Sequence, residues 1–511
     1  MKKFLLIIPF LFGATATGIA QTDPSAEQVR QDRARGVVLP ANDWPYKITK
    51  AYVEDEPDAD YIHASEAAHE AFRDIKFSIR IHWGVYSKWG IEASWPMLKM
   101  SNGKKTEYNE LYKTFNPEGF DADEWMAFFK RCGMQAFAFT TKHHDGFSMF
   151  HTGTRVQQRA NYLNPAHPIE SCDLAYSIEE TPFKRDIVEE LCEAAHRNNI
   201  KIDLYYSHND WYDADFRPYF NHPLTVDAAR DAQTALDFAP DSYDEKRIMT
   251  PNLTQEEKSR MVARHREQLR ELLANYGKID MICLDGQFGR YVWPEIKETV
   301  KMMRRLQPDL MIRARGIGNY GDYYQPEEFV PEGKENTNMP WMSICLLGNV
   351  FAYDSVAENY KGTQWVVSHL VNCVAKGGSF MVCIGPDAGG KFHPEAVRQL
   401  EAVGEWLKVN GEGIYETRAR DVWKSGNICF TRSKDSKRVY AFVETFPDGK
   451  ELIIPSVTPA KKSKVRLLGY NKPLKWSPTV DGGIKIEIPA ALQSPENRPC
   501  EYAWTFRFEI E

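Results

Sequence analysis

The chain has 511 residues, of which 43% are hydrophobic and 26% are charged, and its formal net charge is −7. A chain of this length exceeds one ordinary hydrophobic core, so we expect two domains. Charges of both signs are interspersed, which argues against a surface that binds nucleic acid or an anionic membrane. Aromatic residues make up 13% of the chain. Such side chains usually fill cores, but their rings also pack well on the C–H faces of sugars.

The first 20 residues are typical of a secretory signal peptide. Lys2 and Lys3 are followed by an apolar run at 4–12 and by small residues at 18–20. The run is too short to cross a bilayer, and no cysteine follows it directly that could carry a lipid anchor. We therefore expect cleavage before Gln21 and an exported protein, periplasmic or secreted, with no membrane association once the signal is removed.

Between residues 70 and 410, predicted strands and helices alternate at least seven times. The strands are predicted at 75–81, 135–140, 201–206, 279–285, 309–313, 342–346 and 378–384. The helices are predicted at 64–72, 118–132, 185–198, 292–306, 365–375 and 394–409, with a further helix after the capping box of Thr254 and Glu257. Residues 152–182 are predicted to be a long loop and 213–250 a polar insertion. This alternation predicts an α/β catalytic domain over 21–417 that forms a (β/α)8-like barrel, with a doubly wound sheet as the second choice.

The pattern changes after Thr417. Strand-like runs at 428–431, 439–444, 451–455, 464–468, 483–488 and 504–510 are separated by Gly, Asp, Asn and Pro turns. We therefore predict a C-terminal antiparallel β-sandwich over 418–511. The nine cysteines of the chain contain no CxxC pair, and one disulfide would be compatible with export, with several pairings open.

Polar and aromatic side chains follow nearly every predicted strand. They are His82 and Trp83, His143 to Asp145, Tyr206 and His208, Asp285, and Arg315 with Asp322 and Glu327, while Asn372 lies near the seventh strand. The carboxyl ends of barrel strands share one face, so we expect these side chains to line a single mouth.

The histidines at this mouth raise the alternative of a metal-dependent hydrolase, because zinc sites use His and carboxylate ligands. However, the adjacent His143 and His144 would point in different directions at a strand end. The sequence also contains no HExxH motif. We therefore predict no metal and no cofactor.

Asp285 ends a buried-looking apolar run, and Gly286 follows it directly. A carboxylate at that position is either a catalytic group or a solvated turn residue. Cleavage of a glycosidic bond needs two carboxyl groups, one ionised beside the anomeric carbon and one protonated beside the leaving oxygen. Asp285 and a carboxylate from the loop after the next strand would satisfy that need. Neutral imidazoles, an arginine and indoles would then bind the sugar.

Five segments of the chain resemble the retaining α-L-fucosidases of glycoside hydrolase family 29. They are FSIRIHWGVYS at 77–87, KHHDGF at 142–147, LYYSHNDW at 204–211, IDMICLDG at 279–286, and the region 374–417 with KGGSFMVCIGPDAGGKF and WLKVNGEGIYET. The segments follow the family's order over about residues 70–417, and a β-sandwich follows in the family as well. The resemblance implies a retaining exo-glycosidase that removes terminal α-L-fucose from oligosaccharides or glycans by double displacement.

The resemblance also implies roles for individual residues. Asp285 corresponds to the nucleophile, and Glu327 lies where some members carry the acid/base, with Glu328 as the alternative. The resemblance and the strand-end positions together predict that the sugar is bound by His82, Trp83, Trp95, His143, His144, Tyr206 and Arg315. The family needs no metal.

Three positions depart from the family pattern. Cys283 stands where a Trp usually precedes the nucleophile by two residues. Ser94 and Met342 stand where the family often has Glu, beside Trp95 and Trp341 respectively. These departures leave two alternatives open: a relative that prefers α-L-galactosides, and a sugar-binding protein on the same scaffold whose hydrolysis is impaired.

Overall fold

The computed structural model describes residues 24–40, 44–217, 222–224, 253–332, 337–461, 463–480 and 482–510. The strands before residue 390 are β1 (Phe77–Ile81), β2 (Ala136–Lys142), β3 (Val156–Ala160), β4 (Ile169–Leu174), β5 (Lys201–Ser207), β6 (Met281–Asp285), β7 (Met311–Ile312), β8 (Met342–Leu346) and β9 (Ser379–Ile384). β3 and β4 pair as an antiparallel hairpin, and the others form one parallel sheet.

The strands of the parallel sheet follow the order β7-β6-β5-β2-β1-β9-β8. Each strand lies beside the next strand of the sheet in the chain, except that β7 and β8 form its two edges, and β9 returns to pair with β1. The segment after β7 makes parallel bridges to both edges of this sheet, from Tyr323 to Arg313 beside β7 and from Glu327 to Ile344 in β8. Joined edges are a property of a barrel and not of an open doubly wound sheet. The predicted (β/α)8-like barrel is therefore confirmed, and the doubly wound alternative is wrong.

The strands are continuous apolar runs because both of their faces are covered. Every residue of β1, β2, β8 and β9 is buried. The helices that alternate with the strands are Glu66–Asp74, Ala122–Arg131, Ile187–Asn198, Gln255–Ala274, Trp293–Leu306, Thr363–Ala375 and Pro394–Asn410. Further helices at Ala26–Arg35, Trp44–Thr49 and Asn102–Asn109 lie outside this alternation.

Two boundaries of the barrel differ from the sequence prediction. The predicted loop 152–182 contains the β3–β4 hairpin, whose strands are too polar to show an apolar alternation. The predicted helix 118–132 begins only at Ala122. The reason is that the side chain of Asp121 caps the helix by accepting a hydrogen bond from the backbone N–H of Glu124.

The strand predicted at 309–313 is only two residues long in the structure. The chain leaves it early because it pairs with the segment that closes the barrel, and the N–H of Ala314 donates to the carbonyl oxygen of Tyr323 (3.0 Å). By contrast, the predicted capping box is present, with the side chains of Thr254 and Glu257 each accepting from the other's backbone N–H.

Two antiparallel sheets follow the barrel. Their strands are β10 (Thr417–Ser425), β11 (Ile428–Ser433), β12 (Arg438–Val443), β13 (Glu451–Pro455), β14 (Arg466–Leu467), β15 (Trp476–Pro478), β16 (Gly483–Glu487) and β17 (Trp504–Glu509). The sheets have the orders β10-β11-β12-β17-β14 and β13-β16-β15. They share one apolar core, to which β11, β13 and β16 contribute Phe430, Ile454 and Ile486. The predicted β-sandwich is confirmed, although β10 and β15 carry too few buried residues to be predicted.

All nine cysteines lie in the described part of the chain, and all are free thiols, so none of the open disulfide pairings is formed. Within the same residues, no helix is both long and apolar enough to cross a membrane. The predicted signal peptide at 1–20 and most of the insertion predicted at 213–250 lie outside the described residues.

Candidate active site

A cavity of about 130 Å³ opens where the parallel strands of the barrel end. Its lining comprises Pro45, Arg80, His82, Trp95, His143, His144, Tyr205, Asn209, Asp285, Gly286, Gln287, Arg313, Arg315, Glu327 and Phe351. Most of these residues lie at or just after the carboxyl ends of strands, which is where parallel barrels bind ligands. The fold thus gathers side chains that are far apart in sequence.

Asp285 and Glu327 meet on one guanidinium group in this cavity. The Nη1 atom of Arg315 lies 2.8 Å from an oxygen of Asp285 and 2.8 Å from an oxygen of Glu327. Those two oxygens are therefore no further apart than twice that distance. Arg313 lies 3.8 Å from Asp285 and 3.4 Å from Glu327. The other oxygen of Asp285 accepts a hydrogen bond from the Tyr205 hydroxyl (2.8 Å).

The arginines decide the charge of both carboxyl groups. Burial by itself would raise the pKa of Asp285, but Arg315, followed by His144 and Arg313, holds that pKa well below its ordinary value. Burial and the repulsion from Asp285 would likewise raise the pKa of Glu327, and Arg315 with Arg313 lowers it. Both carboxyl groups are therefore ionised in the free protein at neutral pH.

The three predicted histidines stand together at the cavity. The ring of His143 lies 5.5 Å from that of His82 and 4.4 Å from that of His144. The Nδ1 atom of His143 is 2.6 Å from the Ser94 hydroxyl, and that of His144 shares a hydrogen bond with Ser207. The adjacent histidines line one cavity, contrary to the prediction that they diverge, because the alternation of β2 ends before them.

Burial lowers the pKa of all three imidazoles. The pKa values of His82 and His143 lie well below the ordinary value, and that of His144 falls to about 4. The rings are therefore neutral, and a neutral imidazole both donates and accepts hydrogen bonds. Sugar hydroxyl groups also do both, so these rings suit a polyhydroxylated ligand.

Trp95 and Glu327 lie where the sequence predicts, and Glu328 does not. The ring of Trp95 contacts that of His144 edge-on at 4.6 Å. Glu328 has a left-handed backbone (φ 65°), and its carboxylate turns away to accept a hydrogen bond from the N–H of Leu346 (2.9 Å). Of the two adjacent glutamates, only Glu327 lines the cavity.

Trp83 and Tyr206 do not line the cavity, in contrast to the prediction. The indole N–H of Trp83 donates to the carbonyl oxygen of Asp387 (2.9 Å), and its ring packs on Trp125 in the core. The Tyr206 hydroxyl donates to Gln268 on the outer side of β5 (2.9 Å). Its neighbour Tyr205 takes the inward position, because successive residues of a strand face opposite sides.

The lining residues that sequence reasoning missed include Arg80, Tyr205, Asn209, Arg313 and Phe351. Arg80 and Arg313 gave a usable signal, since a lone cation in an apolar strand is rarely buried without a partner or a function. Asn209 packs within 3.2 Å of the position that a Cβ of Gly286 would occupy. Gly286 also has a φ of 89°, so the turn after Asp285 requires glycine.

The three departures from the family pattern have distinct structural surroundings. Ser94 is buried and holds His143. Met342 is buried inside the barrel, and Cys283 receives hydrogen bonds from Arg80 and Arg313. None of the three is part of the cavity lining, whose carboxyl groups are those of Asp285 and Glu327.

The arrangement suits proton transfer and attack by a carboxylate. In the ranges that the structure describes, no group of three or more His, Cys, Asp or Glu side chains could hold a metal ion. Two carboxyl groups close together beside neutral imidazoles are the groups that glycosidic bond cleavage uses.

Comparison with known proteins agrees with this chemistry. A family model described as Alpha-L-fucosidase matches residues 47–412, and one described as Alpha-L-fucosidase C-terminal domain matches residues 417–509. The human plasma alpha-L-fucosidase is 27% identical over 459 residues, which cover 85% of this chain and 88% of that protein.

Solved structures show the same fold. Alpha-L-fucosidase isoenzyme 1 from Paenibacillus thiaminolyticus has a TM-score of 0.69 at 24% identity, and the match covers 87% of this chain and 98% of that one. An alpha-L-fucosidase from Bacteroides thetaiotaomicron, trapped as a covalent intermediate with 2-fluoro-fucosyl fluoride, has a TM-score of 0.67 at 22% identity. That match covers 90% of this chain and 98% of the other. Since the first family model covers most of the chain, the protein belongs to the alpha-L-fucosidase family, glycoside hydrolase family 29.

Proposed function

We propose that this protein is an exported, retaining exo-α-L-fucosidase that removes terminal α-L-fucose from fucosylated oligosaccharides or glycans. The observation that carries the proposal is the contact of Asp285 and Glu327 with the same nitrogen atom of Arg315. In retaining glycosidases the two carboxyl groups are about 5–5.5 Å apart, and in inverting ones about 6.5–9.5 Å. The upper bound set by the shared nitrogen favours retention.

In this mechanism Asp285 attacks the anomeric carbon of the bound sugar. The bond to the leaving oxygen breaks while Glu327 gives that oxygen its proton, so a glycosyl ester forms on Asp285 and the shortened glycan departs. Glu327 then takes a proton from water, whose oxygen attacks the anomeric carbon and releases Asp285. Two inversions give net retention of the anomeric configuration. The Bacteroides relative trapped as a covalent intermediate is consistent with this course.

Glu327 must carry a proton when the glycosidic oxygen arrives, although Arg315 favours its ionised form. The protonated fraction grows as the pH falls toward the lowered pKa of Glu327. Asp285 stays ionised there, since its own pKa lies further below its ordinary value. At acid pH Glu327 can thus donate a proton while Asp285 remains an ionised nucleophile. The activity therefore has its optimum on the acid side of neutrality.

Export rests on the N-terminal sequence, where two lysines precede an apolar run and small residues. We propose that the mature chain begins at Gln21 and is periplasmic or secreted. N-terminal sequencing of the protein recovered from the periplasm and from the medium tests this, and an intact N-terminus in the cytoplasm would contradict it.

The two remaining alternatives concern substrate and activity. An α-L-galactoside differs from an α-L-fucoside in one hydroxyl group, and the small Cys283 beside Arg80 motivates including it. A binding protein without hydrolysis was suggested by Ser94 and Met342, but the pair of carboxyl groups is intact in the cavity. We therefore favour the enzyme.

Hydrolysis of nitrophenyl α-L-fucoside and α-L-galactoside, side by side, is the direct test of the function. NMR spectra taken during the first turnovers identify the anomer that forms first, and a β-anomer from an α-fucoside would exclude retention. Glu327→Ala should lose hydrolysis and regain turnover of the nitrophenyl fucoside with azide, which replaces the water that Glu327 activates. Glu328→Ala is the matched control and should need no azide. Binding of fucose without turnover of either glycoside would instead support the binding protein.

A further inference from the structure

Two arginines from the interior of the barrel line the cavity although they are almost inaccessible, at 2% exposure for Arg80 and 0% for Arg313. The Nη2 atom of Arg80 donates hydrogen bonds to the sulfur of Cys283 (3.0 Å) and to the side-chain oxygen of Gln325 (2.8 Å). The Nη1 atom of Arg313 donates to the same sulfur (3.2 Å). Cys283 and Gln325 thus fix the two guanidinium groups side by side.

The charges of the cavity lining are not matched one to one. It contains three guanidinium groups and two carboxylates, those of Asp285 and Glu327. Arg315 contacts both carboxylates, and Arg313 lies within 3.8 Å of each. Arg80 hydrogen-bonds only to uncharged groups and makes no ion pair with the residues that the structure describes. Arg80 is therefore the surplus cation of the site.

Asp203, inside the barrel, does not neutralise this surplus by direct contact. Both of its carboxylate oxygens are buried without a hydrogen-bond partner among the described residues. Burial raises its pKa to about 6, although Arg80 and Arg313 oppose the rise. At the acid pH where Glu327 gains its proton, Asp203 is uncharged, so the positive charge of Arg80 has no counterpart.

Arg80 also has an unused donor. Its Nε–H and that of Arg313 are buried and have no acceptor in the described ranges of the chain. Burying a charged donor without an acceptor is costly, whereas carboxylate and sulfate oxygens match the geometry of the guanidinium fork. A methyl group or a hydroxymethyl group would leave the charge uncompensated.

We propose that the cavity accepts a terminal fucose-like sugar that bears an ionised oxyanion, either a sulfate ester or a carboxylate, and that Arg80 recognises this group. The proposal rests on the proposed function, since it names the substrate class of the same site. It gives Arg80 a role in substrate selection and Cys283 with Gln325 the role of holding its guanidinium group.

The test compares nitrophenyl α-L-fucoside with its monosulfated derivatives and with the α-glycoside in which a carboxylate replaces the methyl group of fucose. We expect kcat/KM to be at least about tenfold higher for an anionic substrate than for the neutral one, as a charged hydrogen bond in a buried site permits. Preference for the sulfates or for the carboxylate identifies which oxyanion the site takes.

The variant Arg80→Gln should bring the anionic-to-neutral ratio of kcat/KM close to one, while Arg80→Lys should retain part of it because the charge remains and the fork is lost. The ratio is measured within one protein, so a loss of fold that affects both substrates leaves it unchanged. Arg197→Gln, at an exposed ion pair with Asp123, is the matched control and should keep the wild-type ratio. Competition of sulfated fucose and fucose for the wild-type cavity, measured by calorimetry, needs no variant.

The outcomes separate the two proposals. Turnover of the neutral fucoside with equal or weaker action on every anionic derivative would overturn this inference and leave the proposed function standing. An absence of turnover for all substrates, neutral and anionic, would contradict the proposed function itself. A preference for an anionic substrate that survives in Arg80→Gln would overturn the assignment to Arg80.

Discussion

The protein contains two clusters of buried charge on neighbouring elements, and they are built differently. The mouth cluster consists of Asp285, Glu327, Arg313 and Arg315, and the wall cluster of Lys142, Asp210, Asp213 and Arg264. In the mouth cluster the Asp285 and Glu327 side chains keep 16% and 34% of their surface exposed to the cavity. In the wall cluster the side chains of Lys142 and Asp210 are 0% exposed, and Arg264 and Asp213 are each 4% exposed.

The wall cluster is closed around Asp210, although the Nζ atom of Lys142 and the Nε and Nη2 atoms of Arg264 have no hydrogen-bond partner among the described residues. Asp210 accepts from Arg264 and from the backbone N–H groups of Tyr212 and Asp213, and Lys142 lies 3.6 Å away. None of these four residues lines the cavity at the strand ends, so we infer that their charges stabilise the position of the loop after β5. The mouth cluster likewise combines two carboxyl groups with two cationic groups, but its carboxylate oxygens are open to the cavity. The difference indicates that charge accessible from the cavity, rather than buried charge in general, marks the chemistry.

Among the changes to the mouth cluster, Asp285→Asn is expected to have the largest effect on kcat. Without a nucleophile, kcat for an aryl α-L-fucoside should fall by a factor on the order of 10⁴ to 10⁶. Asp280→Asn is the matched control at the opposite end of the same strand, where the carboxylate pairs with Lys201 (3.0 Å), and should retain most of the activity. Equal losses in both variants would mean that the strand, and not the nucleophile, had been damaged.

Arg264→Met breaks the wall cluster and should therefore reduce stability much more than activity. Asp210 would stay buried without its closest cation, and such a change typically costs about 3–5 kcal/mol of unfolding free energy. Urea unfolding measures the loss, and kcat of the remaining folded protein should change only a few-fold. If kcat collapsed while the urea midpoint stayed fixed, the distinction between the clusters would fail.

Arg315→Met should change the pH dependence more than the stability. Hydrolysis needs protonated Glu327, so kcat/KM of the wild type should fall as the pH rises through a pKa that Arg315 holds below its ordinary value. Removing Arg315 raises that pKa, and the falling limb should move to higher pH by about one unit or more. An Arg197→Met control, on the surface, should leave the limb in place. An unshifted limb in Arg315→Met would exclude Glu327 as the acid.

Among the changes at the cavity, Tyr205→Phe is expected to have the smallest effect on kcat, and Tyr206→Phe is its control. The hydroxyl of Tyr205 donates to Asp285, so its loss should lower kcat roughly tenfold or more through the lost charged hydrogen bond. Tyr206→Phe removes a contact to Gln268 outside the cavity and should lower stability slightly with little effect on kcat. The opposite ranking in a kinetic assay would show that the faces of β5 are wrongly assigned.

The sequence was sufficient for features that local pattern determines. Apolar runs between amphipathic helices predicted the barrel, and the acid at the end of one run predicted Asp285. Histidines directly after strands were predicted for the same reason, since strand ends in a parallel barrel meet at one face. None of these predictions needed the orientation of an individual side chain.

Features that depend on orientation could not be predicted. β5 is buried on both faces, so it has no apolar alternation, and the prediction of Tyr206 is wrong because Tyr205 faces the cavity. A register shift between β2 and β5 adds to the ambiguity at that end of the sheet. Likewise, only the left-handed backbone of Glu328 explains why Glu327 reaches the cavity and its neighbour does not. Tertiary contacts, rather than composition, determine which of two adjacent side chains faces the cavity.

The central claim is that Asp285 becomes covalently bonded to the sugar. Incubation with 2-fluoro-fucosyl fluoride, which slows hydrolysis of the glycosyl-enzyme, followed by peptic digestion and mass spectrometry, tests it most directly. We predict a single labelled peptide that contains Asp285, with the fluorosugar on its carboxylate, and no label in Asp285→Asn. A label on Glu327, or an unlabelled protein that still turns over fucosides, would contradict the account.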